Sequence, residues 1–249
     1  MTDKAVIRRN VDGIVESIDP LAGSDLDLHL SVDPSQIGFA VDHALGQGNA
    51  ERIPDALARR PHNGRKTLML DMEDIDYVGL TLDLRKSLED RGAPTAVTVQ
   101  AYLHRSEEDI RALCDAGAFV RLVKGAFVGE SRYALLGRPE IDANYRKLAA
   151  LLLSPAARKA SVYPAFATHD HKLIGEIRRM ARDTGPGSYE FEMLYGVRPE
   201  LQEELVAAGE SVRLYLPYGR DWWPQYPLSR EDGMYDGLAG SLGEERGPP

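Results

Sequence analysis

Cysteine is almost missing from this chain of 249 residues, and the one copy, Cys114, has no partner for an internal disulfide. No CxxC and no Cys/His pair at zinc spacing is present, so no metal site is expected. Long apolar runs are absent too. None approaches the roughly 20 residues that a helix needs to cross a bilayer, and the polar opening stretch 1–10 does not read as a secretion signal. A cytoplasmic protein without a transmembrane segment is expected. Basic residues are in deficit: 30 Lys and Arg against 39 Asp and Glu give a formal net charge of −9. No basic run offers a nucleic-acid footprint, which argues against that partner. Neither GxGxxG nor GxxxxGK[ST] occurs, so a Rossmann dinucleotide site and a P-loop are both excluded.

What is present is a repeated alternation of short β-rich runs and amphipathic segments. Apolar residues at helical spacing predict a helix over 5–18. Strands are predicted at 26–32, 67–71, 95–102, 119–124, 161–167, 189–193 and 212–217, and helices at 81–91, 106–116, 142–153, 172–182 and 199–208. Strand, helix, strand at such spacing is the signature of parallel βαβ units, hence an α/β fold. No repeat of 20 to 50 residues is visible, which disfavours a solenoid. With 43% hydrophobic residues the chain can fill one large core, and about 250 residues suits a β/α barrel. The reading divides it into a helical segment at 1–25, a barrel at 26–228 and a disordered Gly-, Glu- and Pro-rich tail at 229–249. An eighth strand does not emerge from the pattern.

In such barrels chemistry gathers at the C-terminal ends of the strands. Asp33, Asp71, Gln100, Arg121, Lys124, Thr168, His169 and Tyr195 all fall at predicted strand ends. The stretch 120–130 is the most telling. Arg121 and Lys124 put two cations near a buried strand's end, where an anionic or electron-rich group must meet them, and Gly125 lets a ligand approach the backbone closely.

These segments resemble the proline dehydrogenases, flavoenzymes built on a distorted (βα)8 TIM-type barrel. The resemblance rests on Arg-Leu-Val-Lys-Gly-Ala-Phe at 121–127, Leu-Asp-Met-Glu-Asp at 70–74, Gln-Ala-Tyr-Leu at 100–103 and Phe-Ala-Thr-His-Asp at 166–170. It continues through 190–198 and Leu-Pro-Tyr-Gly-Arg-Asp-Trp at 216–222. It implies FAD as cofactor, with Met72, Gln100, Arg121, Leu122, Lys124, Gly125, Ala126, Thr168 and His169 in contact with it. It also implies Asp71 and Arg121 as a catalytic pair and Tyr195 on the substrate side. Arg121→Ala is accordingly expected to impair flavin reduction far more than folding.

The departures from the family bear on the substrate. Asp33 stands where the family places a lysine for the substrate carboxylate, and Leu228 and Ser229 stand where it places two arginines, with Arg230 one residue out of register. Pro227 interrupts the family's last helix, where an interior proline costs about 3 kcal/mol. Glu192 replaces the usual glutamine and Phe127 the usual tyrosine. Three readings stay open. One is a flavin dehydrogenase or oxidase acting on the C–N or N–N bond of an amine whose carboxylate is absent or masked, a small molecule or a carrier-protein conjugate. The second is L-proline dehydrogenase with a rebuilt carboxylate site, and the third is a non-catalytic flavin-binding protein. The electron acceptor, quinone or oxygen, is left open.

Overall fold

The computed structural model describes residues 3–126, 129–185 and 187–216. Seven strands form one parallel sheet in strict sequence order. They are β1 (Leu28–Val32), β2 (Lys66–Leu70), β3 (Thr95–Gln100), β4 (Phe119–Val123), β5 (Tyr163–Ala167), β6 (Glu190–Leu194) and β7 (Val212–Tyr215). Helices α1 (Lys4–Glu16), α2 (His43–Ala58), α3 (Ile75–Asp90), α4 (Ser106–Asp115), α5 (Arg138–Leu152), α6 (Pro155–Lys159), α7 (His171–Met180) and α8 (Pro199–Ala207) lead and link them. β3 and β6 are buried along their whole length and the middle of β4 is buried too, because both faces of the sheet are covered, as in parallel sheets generally.

The sheet is curled rather than flat, and interior side chains show it. His29 on β1 meets Glu192 on β6, and an Arg213 guanidinium on β7 donates to the Asp27 carbonyl just before β1. Residues so distant in sequence touch only if the first and last described strands bend toward each other, which is the geometry of a distorted β/α barrel. Helix α1 is not a separate unit: Ile7, Val11 and Val15 are buried in the same apolar cluster as the strands and α2.

Several boundaries depart from the sequence reading. Helix α3 starts at Ile75, six residues earlier than expected, because Asp74 caps it through its Oδ1 and the Ile75 N–H. Gly79 lies inside it and weakens the apolar pattern that marks a helix start. Helix α2 was not expected at all: Gly46, Gly48 and Pro54 fall within it and mask its periodicity. A π-turn at Ser35–Phe39 follows β1, its Gly38 held at φ 125°. Such turns collect at functional sites, and this one carries the chain away from Asp33. The expected tail, together with Phe127, Trp222, Trp223, Pro227, Leu228, Ser229 and Arg230, lies outside the described residues.

Candidate active site

Arg121 organises the site. It sits in mid-β4, only 4% exposed, and its side chain points into the barrel. Nη1 donates to Asp71 Oδ1 at 2.6 Å and to Ser31 Oγ at 3.0 Å, and Nε donates to Glu192 Oε2 at 2.5 Å. Three strands and the exit of a fourth thus meet on one guanidinium. Burial alone would favour its neutral form, but Asp71 and Glu192 reverse that and raise its pKa. Asp71, just after β2, is fixed further by Thr98 Oγ1 at 2.7 Å and more loosely by the Tyr215 hydroxyl at 3.4 Å. The Arg121 guanidinium also lies 5.3 Å from the centre of the Tyr215 ring, a cation–π contact. The resemblance pairs Asp71 with Arg121, and the structure brings the two together.

Below this layer lies a second one. Glu192 Oε1 accepts from His29 Nδ1 at 3.1 Å, and Glu190 is gripped by Arg213 at 2.6 and 2.9 Å and by the Tyr163 hydroxyl at 3.2 Å. Burial pushes the Glu192 carboxyl up, but Arg121 and His29 overcome it and hold the pKa at about 2. His29, Glu190 and Glu192 bring three potential metal-ligand atoms within 4.8 Å of one another. Arg121 and Arg213 already engage both carboxylates, and two guanidiniums beside the same oxygens oppose a further cation.

At the strand ends the chemistry changes. Gln100 donates from Nε2 to the Met72 carbonyl at 3.1 Å, and its buried Oε1 has no partner. An isoalloxazine ring carries an imide N–H, the kind of donor that this acceptor lacks. Lys124 is committed to two carboxylates, Asp142 at 2.6 Å on α5 and Asp170 at 3.1 Å at the start of α7. Gly125 holds φ +115°, and a Cβ there would run into the Tyr102 ring. Gly125→Ala should therefore displace the β4 exit and weaken FAD binding at least tenfold, measured by fluorescence titration of apoprotein; unchanged affinity would mean the loop does not shape the cofactor site.

Other sequence-derived residues take quieter positions. The Leu122 side chain is fully buried and its carbonyl accepts from the Tyr145 hydroxyl at 3.0 Å. Thr168 Oγ1 accepts from the Asp170 N–H, and His169 Nε2 accepts from the buried Leu194 N–H at 3.0 Å. Ala126 is exposed at the β4 exit. Tyr195 is 66% exposed and does not meet Asp71 or Arg121; the tyrosine that does is Tyr215. Residue type and spacing give no cue to Tyr215, since the last position of a strand reads equally well as inward or outward.

Asp33 follows β1 and is half-buried, its Oδ2 accepting from Gln36 Nε2 at 2.6 Å. Glu73 stands nearby, bonded to the N–H and hydroxyl of Ser35 at 2.8 and 2.5 Å. Burial first, then the charges of Asp71 and Glu73, push the Asp33 carboxyl up to about 7. Among the described residues no lysine, arginine or histidine pairs with it.

A family model for proline dehydrogenase matches residues 2–221. The chain belongs to the proline dehydrogenase family. Proline dehydrogenase 2 of Bacillus subtilis is 32% identical over 220 residues, which span 88% of this chain and 70% of that protein. The proline dehydrogenase of Deinococcus radiodurans is 36% identical over 222 residues, 86% of this chain and 69% of that protein. Among solved structures, proline utilization A from Bdellovibrio bacteriovorus superposes with a TM-score of 0.78 at 21% identity, covering 98% of this chain. This chain spans 30% of that much longer protein, so the likeness speaks for the barrel. The family is one of flavin-dependent oxidoreductases acting on CH–NH donors, with FAD as the cofactor. The unpartnered Gln100 acceptor and the positive-φ glycine at the β4 exit fit that cofactor. No helix among the described residues is long and apolar enough to cross a membrane.

Proposed function

We propose that this member of the proline dehydrogenase family oxidises the C–N bond of an amine that presents no free carboxylate to the end of β1. The acid is either absent or masked, as in an amide or a carrier-protein conjugate. One observation carries this reading: Asp33, which by resemblance takes the position of the family's carboxylate-binding lysine, is raised by burial first and then by the charges of Asp71 and Glu73. A carboxylate brought there would meet like charge without a compensating cation among the described residues. Each charge-assisted bond lost costs about 1.5–3 kcal/mol, enough to exclude an amino acid and admit an amine. In sequence, Leu228 and Ser229 reinforce the reading by replacing the arginine pair, and Arg230 adds one cation out of register.

Bound FAD would accept the hydride from the carbon beside the nitrogen. The protein's own work is to hold Arg121 and Asp71 rigidly beneath the strand ends, where a fixed cation would favour the negative charge that the flavin gains on accepting the hydride. Gln100, Lys124, Gly125, Ala126, Thr168 and His169 would surround the cofactor, with Tyr215 above Asp71 on the substrate side. A quinone or oxygen would reoxidise it.

A second reading, L-proline itself, is favoured by the 36% identity to the Deinococcus radiodurans proline dehydrogenase. Anaerobic mixing of the FAD-loaded protein with L-proline, prolinamide and pyrrolidine separates the two. Prolinamide or pyrrolidine is expected to bleach the flavin at concentrations at least tenfold lower than proline. Preferential bleaching by proline would replace the first reading with the second.

A further inference from the structure

The part of the barrel interior that the activity does not use is the pair Glu192 and His29. Glu192 is 3% exposed and bonds to Arg121 through one carboxylate oxygen and to His29 through the other. His29 Nδ1 lies 3.1 Å from Glu192 and 3.9 Å from Glu190, and its ring meets Phe119 edge-on at 4.8 Å. Asp71, Glu190 and Glu192 thus face two guanidiniums, Arg121 and Arg213. Glu192 is thus a second carboxylate, beside Asp71, placed against the cation that a redox cofactor at the strand ends would feel.

We propose that Glu192 is a positioning residue: braced by His29, it fixes Arg121 and offsets part of its charge, so that the bound flavin has a lower reduction potential than it would with an uncharged amide at position 192. This inference rests on the reading that FAD occupies the C-terminal ends of the strands. Two electrons and one proton would pass, as a hydride, from the carbon of the amine in its neutral form to bound FAD, which so gains one negative charge, while the amine would become an iminium cation and, on losing its N–H proton to solvent, an imine. A guanidinium nearby favours that negative charge, and a carboxylate bonded to the guanidinium weakens the effect. The geometry also explains why a buried carboxylate is tolerated here, because each of its oxygens has a donor.

Glu192→Gln is the decisive variant. It is isosteric, its carbonyl can still accept from Arg121 Nε, and its shape keeps the interior filled. Dye-linked redox titration of the FAD-loaded protein should place its potential about 30 mV above the parent, a tenfold change in the two-electron equilibrium. FAD affinity of the oxidised form should stay level. His29→Gln, which removes the imidazole brace but leaves the carboxylate, should move the potential the other way. A Glu192→Gln potential at or below the parent's, with FAD bound, would overturn the tuning role. An unmoved potential in His29→Gln would remove His29 from it. If the parent protein fails to bind FAD at all, the cofactor reading beneath the inference falls instead, and fluorescence titration of apoprotein with FAD reports that separately.

Discussion

Arg121→Ala should lose about 3–5 kcal/mol of stability together with its activity, because it strands the buried Glu192 and the half-buried Asp71 without their cation. This differs from what the sequence leads one to expect, a variant that folds normally and fails in chemistry. The reason is depth: the side chain is inside the barrel and ties β1, β2's exit, β4 and β6 together. For a chain of this size the loss corresponds to a fall in Tm of at least roughly 6 °C, readable by calorimetry without cofactor. Adding Glu192→Gln to the same variant removes one of the stranded charges and should recover part of the loss. A Tm that stays at the parent's value would show that the interior ion pairs contribute nothing net, and the role of Arg121 would return to chemistry alone.

Asp33→Asn carries the second large effect, and its sign depends on pH. The carboxyl titrates at about 7 in the folded protein against 3.8 as its ordinary value. A raised carboxyl favours the native state below the unfolded pKa, and that contribution drains away as pH rises from 3.8 to about 7. The Asn variant escapes the loss. It should match the parent near pH 4, gain on it through pH 7 and hold a plateau above, with up to about 4 kcal/mol as the ceiling. Urea unfolding at pH 5 and pH 8 reads the difference, and equal midpoint shifts at both would show that Asp33 is solvated. Activity should move oppositely: with Asp33 proposed to hold the protonated nitrogen of the amine, the Asn variant loses a charge-assisted contact and turnover should fall about tenfold or more. Asp33→Lys joined to Leu228→Arg and Ser229→Arg should shift preference toward L-proline. An Asn variant with normal turnover, beside a triple variant that still ignores proline, would remove Asp33 from substrate selection.

How much of this was legible beforehand depends on what each residue's surroundings demand. The alternation of strands and helices was readable because short clusters of β-branched and aliphatic residues, such as Val97 and Val99 on one strand and Val120 and Leu122 on the next, suit a doubly covered sheet. Asp71, Gln100 and Arg121 were readable as strand-end polar residues amid apolar neighbours. Helix α2 was not, since glycines and Pro54 break the period on which the reading depends. His29 reads in sequence only as a candidate counter-charge to Asp33, because it sits in an alternating strand where half the positions face outward, and the curl of the sheet turns it toward Glu192 instead. Tyr195 and Tyr215 differ by direction alone, which depends on the pleat at a strand's last residue.

The strict order of the sheet bears on how the molecule comes to be made. Each strand pairs with the one synthesised just before it, so ladder growth needs only neighbouring segments and can keep pace with the ribosome. Closure is different in kind. The contacts between His29 and Glu192 and between Arg213 and the Asp27 carbonyl bridge 163 and 186 residues, and such distant pairings come at the greatest cost in loop entropy. The charged interior is therefore assembled last, when β6 and β7 swing round to meet β1. Until then its carboxylates and guanidiniums stay hydrated, and the step that desolvates them is the same step that creates the site.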